Sequence, residues 1–203
     1  MFFKKKYEGV IIIDLHDVLT DLQDFKLKQG NFFAKKYGAK LVDPNAQNTI
    51  DMFDWSVPRE EEFWKIYLPQ LLHSFKPKQL AKEALERLST MNYKIIVVYR
   101  PNDFELTPES QKFHIKHVND WLDRFEIPYD ACIVSELDWL EIAKKNKMTL
   151  FLSANPSSIE RVATSYPTMM FETNYNQQLD GYHITRVHDW KEAYQKIRNH
   201  EFE

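Results

Sequence analysis

Short unbroken apolar runs recur along the chain, each followed by a stretch of helical periodicity. The runs are Val10–Ile13, ending at Asp14; Lys94–Val98, ending before Tyr99; Ala131–Val134; Thr149–Leu152, ending before Ser153; and Thr168–Phe171. Unbroken rather than alternating runs of this length are what strands buried on both faces of a parallel sheet require. Between them, Pro77–Met91 places Leu80, Ala81, Ala84, Leu85 and Leu88 on one helical face. Ser110–Phe125 does the same with Phe113, His117, Val118, Trp121, Leu122 and Phe125. Trp139–Asn146, Ser157–Ser165 and Asp189–Arg198 predict three further helices, and Pro156 suits a helix start. Strands alternating with helices predict an α/β fold with a doubly wound parallel sheet.

One stretch breaks the alternation. Between Asp21 and about Lys76 no strand pattern occurs; Phe25–Tyr37 and Arg59–Ser74 have helical spacing. The loop joining them holds Pro44, Asn45, Asn48 and the aromatic cluster Phe53-Asp54-Trp55. The expected organisation is a core of residues 1–20 and 77–203 with a helical insert of residues 21–76. Ligands of doubly wound sheets bind at the carboxyl ends of the strands. An insert leaving the first strand at that end roofs the site.

Composition works mainly by exclusion. Of 203 residues, 43% are hydrophobic and 14% aromatic, enough to bury a sizeable core. The net charge of -3 offers no basic field for nucleic acid or an anionic membrane, and Lys4–Lys6 is too short a run to change that. No apolar stretch is long enough to span a bilayer, and Val10–Ile13 is too short for a signal peptide, so a soluble cytoplasmic protein is expected. The single cysteine, Cys132, excludes an internal disulfide and a multi-thiolate metal site.

The segment Val10-Ile11-Ile12-Ile13-Asp14-Leu15-His16-Asp17-Val18-Leu19-Thr20-Asp21 resembles the first motif of the haloacid-dehalogenase superfamily, an apolar strand running into D-x-D-x-[TV]-L. Asp14 stands at the nucleophile, His16 at the second Asp and Val18 at the Thr/Val position. The helical insert resembles the cap of the 5′(3′)-deoxyribonucleotidase branch. Ile95–Val98 followed by Tyr99-Arg100-Pro101 resembles that branch's strand ending in Thr-x-Arg. Phe151-Leu152-Ser153-Ala154-Asn155-Pro156 resembles its acidic pair followed by Asn-Pro. Thr173-Asn174-Tyr175-Asn176-Gln177 and Arg186-Val187-His188-Asp189-Trp190 resemble the tail of bacterial nucleotidases of the group. The resemblance implies a three-layer, Rossmann-like core with a cap inserted after the first strand.

It also implies a chemistry that this sequence only partly keeps. In the family the first Asp attacks phosphorus, forming an aspartyl-phosphate, and Asp14 is present. The second Asp serves as general acid and then base; here it is His16. Tyr99 replaces the hydroxyl residue that holds the phosphoryl group. The charge-neutralising Lys aligns with Trp139, with Lys144 or Lys145 as fallbacks. Ser153 and Ala154 stand where two acids hold Mg²⁺, an ion that needs hard oxygen ligands. General acid–base catalysis is worth roughly 10²–10⁴ in rate, and phosphoryl transfer otherwise depends on positioning and charge neutralisation. Four coordinated losses predict a pseudophosphatase without bound Mg²⁺.

Each candidate also has a plainer role. Asp14 could cap a helix, and His16 could be structural, ligand-binding or a substitute acid. A transition-metal site from His16 with Asp14, Asp17 and Asp21 is disfavoured by their spacing. Tyr99 and Trp139 either fill the emptied pocket, stack a base, or present a surface to a partner. Phe53, Trp55 and Trp64 form either the core of the insert or a stacking platform, and Arg100 either binds an anion or makes a surface pair. The working expectation is a rim of Tyr99, Arg100, Trp139, Phe53 and Trp55, with Asp17, Ser153 and Asn155 beneath it, that binds a protein partner. A nucleotide or phosphate ligand, and weak 5′-nucleotidase activity through Asp14 and His16, are the alternatives.

Overall fold

A computed structural model describes residues 7–67, 73, 75–100, 108–135 and 137–202. Lys4–Lys6 and Pro101 lie outside the described residues, as does the expected helix beyond Tyr67 except for His73. Six strands form the sheet: β1 (Gly9–Asp14), β2 (Tyr93–Tyr99), β3 (Ala131–Val134), β4 (Leu150–Ser153), β5 (Thr168–Phe171) and β6 (Ile184–Val187). Their order is β3-β2-β1-β4-β5-β6, and every pairing is parallel. The helices are α1 (Leu22–Tyr37), α2 (Thr49–Met52), α3 (Val57–Tyr67), α4 (Ala81–Thr90), α5 (Pro108–Arg124), α6 (Trp139–Asn146), α7 (Pro156–Ala163) and α8 (Trp190–Arg198).

The central strands are apolar because both sheet faces are covered. Ile11, Ile13, Ile95 and Val97 meet one layer, built on α4, α5 and α8. Ile12, Ile96, Val98 and Phe151 meet the other, where Trp139, Ile142 and Ala143 of α6 and Val162 of α7 pack. The result is a three-layer α/β core. Among the described residues no helix is long and apolar enough to cross a membrane. Cys132 is a half-buried free thiol on β3, with its pKa pushed up to about 11 by burial.

Two elements lie outside the sequence expectation. Strand β6 reads Ile-Thr-Arg-Val, pairs among the described residues only with β5 and is half-exposed over three of its four residues, so it has no apolar run to betray it. Helix α2 is a single turn inside what reads as a loop. Helix α4 starts at Ala81 rather than Pro77, because Leu80 takes a left-handed conformation (φ 64°) and is exposed.

The chain between β1 and β2 has a core of its own. Phe33, Ala34, Met52, Phe53, Trp55 and Phe63 are buried together, with Phe53 stacked on Trp55 at 4.5 Å between centroids. The root of this insert is fastened to the sheet. Leu22 and Phe25, at the start of α1, belong to the main core cluster. Where the chain returns, the Lys78 amide donates to the Leu19 carbonyl at 2.8 Å, and the Lys78 ammonium pairs with Asp21 at 3.2 Å.

Gly30, in the middle of α1, is where the insert is tightest. A Cβ there would land on the Phe53 ring, which cannot swing away while it is stacked on Trp55 and buried. Alanine in a helix interior normally gains roughly 0.5–1 kcal/mol over glycine. Overpacking typically costs about 1–3 kcal/mol, so the clash wins. Gly30→Ala is therefore expected to destabilise the protein in urea unfolding, and Gly30→Ala combined with Phe53→Leu to recover part of the loss. A stabilised single variant would show that Phe53 has room to move.

Candidate functional site

Asp14, Tyr99 and Ser153 are the last residues of β1, β2 and β4, which are neighbours at the centre of the sheet. Side-chain alternation sends Asp14 with Ile12, and Ser153 with Phe151, to the face covered by α6 and α7. There the Ser153 hydroxyl donates to Asp14 Oδ2 at 2.9 Å, while its oxygen accepts from the Asn155 amide at 3.1 Å. Asp14 is 8% exposed. Burial lifts its pKa to about 7; the charge of Asp17 adds to the rise, while the Ser153 hydrogen bond, the His16 backbone and the Arg100 charge oppose it.

The turn after β1 is held from several sides. The Leu15 amide donates to the Val98 carbonyl at 3.0 Å, extending the ladder one step past Asp14. Asp17 sits at φ 58°, a left-handed conformation that its short polar side chain tolerates. Its carboxylate accepts from the Gln23 amide at 2.9 Å, capping the first turn of α1, and from the Tyr175 hydroxyl at 2.7 Å. The Trp190 indole donates to the Val18 carbonyl at 2.8 Å. His16 lies edge-on to Tyr99 at 5.3 Å between centroids, with Nδ1 3.5 Å from the Thr20 hydroxyl. Burial, then the positive charge of Lys26, lowers the His16 pKa to about 3, so its imidazole is neutral at physiological pH.

A cavity of about 470 Å³ opens above this turn, between the sheet and the insert. Its floor is Asp14, His16 and Asp17; α1 contributes Leu22 and Lys26, and the loop before α2 contributes Gln47 and Asn48. Arg100, Trp139, Asn155, Ser157, Ser158 and Tyr175 complete the wall. The lining is polar except for Leu22 and Trp139. Asn155 caps α7 with its side-chain oxygen, which accepts from the Ser157 amide at 3.1 Å and the Ser158 amide at 3.3 Å. Asn176 ties the neighbouring loops together, donating to the carbonyls of Ala154 (2.9 Å) and Phe171 (2.8 Å).

Six of the expected site residues therefore converge on one cleft: Asp14, His16, Asp17, Arg100, Trp139 and Asn155. Ser153 stands directly behind Asp14. The expectation of an exposed aromatic rim is corrected. Tyr99, 3% exposed, points into the main core, between His16 and His114. Trp139, 5% exposed, packs on Phe151 with Arg100 over its ring at 5.4 Å. Phe53 and Trp55 are buried in the insert and do not reach the cleft. A small helical unit must bury its aromatics to have any core, and that requirement decided their orientation. Lys144 and Lys145, the fallback cations, are exposed and do not line the cavity. Arg186 and His188 instead meet Glu172 at 2.8 and 3.6 Å.

The sequence reading missed Lys26, Gln47, Asn48, Ser157 and Ser158 as lining residues, and it quoted Tyr175 without giving it a role. Lys26 did carry a signal. It stands four residues after Leu22 and four before Gly30, on the stripe of α1 that turns inward. A lysine on a buried stripe needs a reason to be there.

A parallel sheet with helices on both faces, an aspartate ending its central strand and a helical insert immediately beyond it together define a haloacid-dehalogenase-type protein. Solved structures agree on the fold. A haloacid dehalogenase-like family hydrolase from Streptococcus pneumoniae superposes with a TM-score of 0.64 at 12% identity, covering 93% of this chain and 98% of that one. A haloacid dehalogenase-like hydrolase from Xanthomonas campestris gives 0.61 at 11% identity, covering 94% and 95%. Residues 8–202 match the family described as 5′ nucleotidase, deoxy (pyrimidine), cytosolic type C protein, and the chain belongs to that family. A Bacillus subtilis (strain 168) protein named "Putative nucleotidase YqfW" is 25% identical over 158 residues, 73% of this chain and 78% of that protein.

The raised pKa of Asp14 has a consequence for stability. The native state keeps this proton up to about pH 7, whereas an unfolded aspartate loses it near 3.8. Stability from this group is thus complete below about pH 4 and is lost as pH rises through 7. Above pH 7 a charged carboxylate remains buried, a penalty on the order of a few kcal/mol. Asp14→Asn is expected to melt about 5 °C or more above the parent protein at pH 8. The gap should close toward pH 5. Equal melting temperatures at pH 8 would show that Asp14 ionises without penalty.

Proposed function

We propose that this chain is a catalytically degenerate nucleotidase homologue that holds a phosphorylated small molecule, a nucleotide or another phosphate ester, in the cleft beneath the insert without cleaving it. The observation that carries this reading is the 2.9 Å hydrogen bond from Ser153 to Asp14, at the floor of a polar cavity of about 470 Å³. A carboxylate nucleophile must be ionised and free to approach phosphorus. Asp14 is buried, titrates near 7 and has one oxygen engaged by Ser153. A general acid at position 16 would need an imidazolium, and with a pKa of about 3 His16 is neutral at physiological pH.

The donor set also does not fit the Mg²⁺ that the family uses. That ion takes oxygen ligands and usually one or two carboxylates. Ser153 and Ala154 are fully buried where the acids would stand, and the carboxylate of Asp17 is engaged by Gln23 and Tyr175. Among the described residues no three His, Cys, Asp or Glu side chains gather into a metal-holding group. Ligand binding keeps its support, because the cavity has the size of a small-molecule site. Residues 21–76 act as its cap in this reading. A protein partner docking on exposed Tyr99 and Trp139 loses its motive, since both rings are buried. Retention of Asp14 favours one second reading, slow hydrolysis through that carboxylate.

Thermal unfolding with deoxynucleoside monophosphates, sugar phosphates and inorganic phosphate tests the proposal, alongside a phosphate-release assay with and without Mg²⁺. At 100-fold excess over Kd, a ligand stabilises by about 2.7 kcal/mol, roughly 5–10 °C for a chain of this size. Such a shift is expected from at least one compound, without phosphate release. Steady release that vanishes in Asp14→Asn would establish the second reading instead. Restoring single family residues, such as Ser153→Asp, should not create activity, because residues that act as a unit are strongly non-additive.

A further inference from the structure

Lys26 is a buried lysine at the edge of the cleft. It is 5% exposed on the inward stripe of α1, and its ammonium donates to the Gln47 carbonyl at 2.8 Å. Among the described residues it makes no ion pair. The two carboxylates that feel its charge are engaged elsewhere: Asp17 by Gln23 and Tyr175, and Glu60 by Thr49 (2.6 Å) and Trp64 (3.4 Å). Yet Lys26 lines the cleft and lies near enough to His16 to depress that residue's pKa.

Burying an ammonium without a hydrogen-bonded counter-ion is expensive; desolvation lowers its pKa, and the charges of Asp17 and Glu60 offset that only in part. Tethering the loop before α2 does not explain it. The neutral amide of Gln23, one turn earlier on the same helix, already donates to the carbonyls of Pro44 (3.3 Å) and Ala46 (3.0 Å). A charge is unnecessary for that task. A charge is needed to neutralise a phosphate dianion, and the core position that the family resemblance assigns to that cation is occupied by Trp139.

We propose that Lys26, delivered by the insert rather than by the core, is the residue that neutralises the phosphoryl group of the ligand, facing it together with Arg100 across the cleft. This inference rests on the phosphate-ligand reading and deepens it. It makes the bound phosphate a bridge between insert and core, and it gives the insert a direct part in affinity.

The test uses the whole chain with inorganic phosphate and a deoxynucleoside monophosphate as probes, in the wild type, Lys26→Met and Lys26→Gln. Affinity is read by calorimetry and melting temperature by scanning fluorimetry. In phosphate-free buffer both variants should melt no lower than the wild type, because the desolvation of a buried charge is gone. Phosphate affinity should fall tenfold or more in both, with Lys26→Arg recovering part of it. Wild-type binding that survives unchanged in Lys26→Met and Lys26→Gln overturns this inference and leaves the ligand reading standing. Absence of binding in the wild type, across the phosphorylated panel, overturns the ligand reading itself. A melting temperature lowered in both variants, with affinity intact, makes Lys26 a structural tether and also overturns the inference.

Discussion

Strand β1 has a parallel neighbour on each side and helices above and below, and the rest of the molecule takes its position from that confinement. The register sets Asp14 opposite Val98 on β2 and Ile13 opposite Leu152 on β4, which fixes where all three strands stop. Because Ile11, Ile12 and Ile13 are fully buried, each contributes roughly 1.5–3 kcal/mol of burial. A slip of one residue would exchange the two faces and drive Asp14 toward the opposite layer. The register therefore delivers a carboxylate to one place at the mouth of the sheet. The Leu15–Val98 hydrogen bond carries that order one residue further, and the turn that launches the insert begins from a fixed point.

What the sequence disclosed follows from the same confinement. A strand buried on both faces must be apolar throughout, so β1, β2, β4 and β5 could be read directly, and with them the position of Asp14. Strand β6 closes the sheet with Thr185 and Arg186 half-exposed, and no period or run distinguishes it from a loop. At the site, residue positions were legible but side-chain directions were not. Tyr99 follows an apolar strand as expected, yet alternation gives it to the main core rather than to the cleft. Phe53 and Trp55 looked equally suited to a rim or a core; only the need of the 21–76 segment to bury something of its own separates those outcomes. Lys26 was overlooked because one lysine in a helix that also carries Lys28, Lys35 and Lys36 reads as a solvated face.

The residues at the strand ends make electrostatic sense as a set. Ser153, at the end of β4, and Ala154 after it place no charge next to Asp14. Asp14 is a buried carboxylate with a second, Asp17, buried three residues further on. It is relieved by the Ser153 hydroxyl and by holding a proton to near neutrality. His16 is neutral beside it. The Asp17 side chain is closed off by the Gln23 amide and the Tyr175 hydroxyl. Facing that floor across the cavity are the cations of Lys26 and Arg100.

That arrangement also limits how the insert can respond. Its root cannot swing freely, since Leu22 and Phe25 are embedded in the main core and Lys78 bonds to Leu19 where the chain returns. Lys26 lies one turn beyond Leu22, between this anchored end and the aromatic cluster around Trp55, against which Leu27 packs. The loop that carries Gln47 and Asn48 hangs from Gln23 and Lys26 through three hydrogen bonds to its carbonyls. If an anion takes the lysine's remaining donors, the bond to Gln47 can stay in place, because an ammonium has three. In the proposed phosphate-bound state the anion would then place its charge beside the ammonium without dismantling the wall of the site, and would offset part of the desolvation that lowers the Lys26 pKa in the empty cleft.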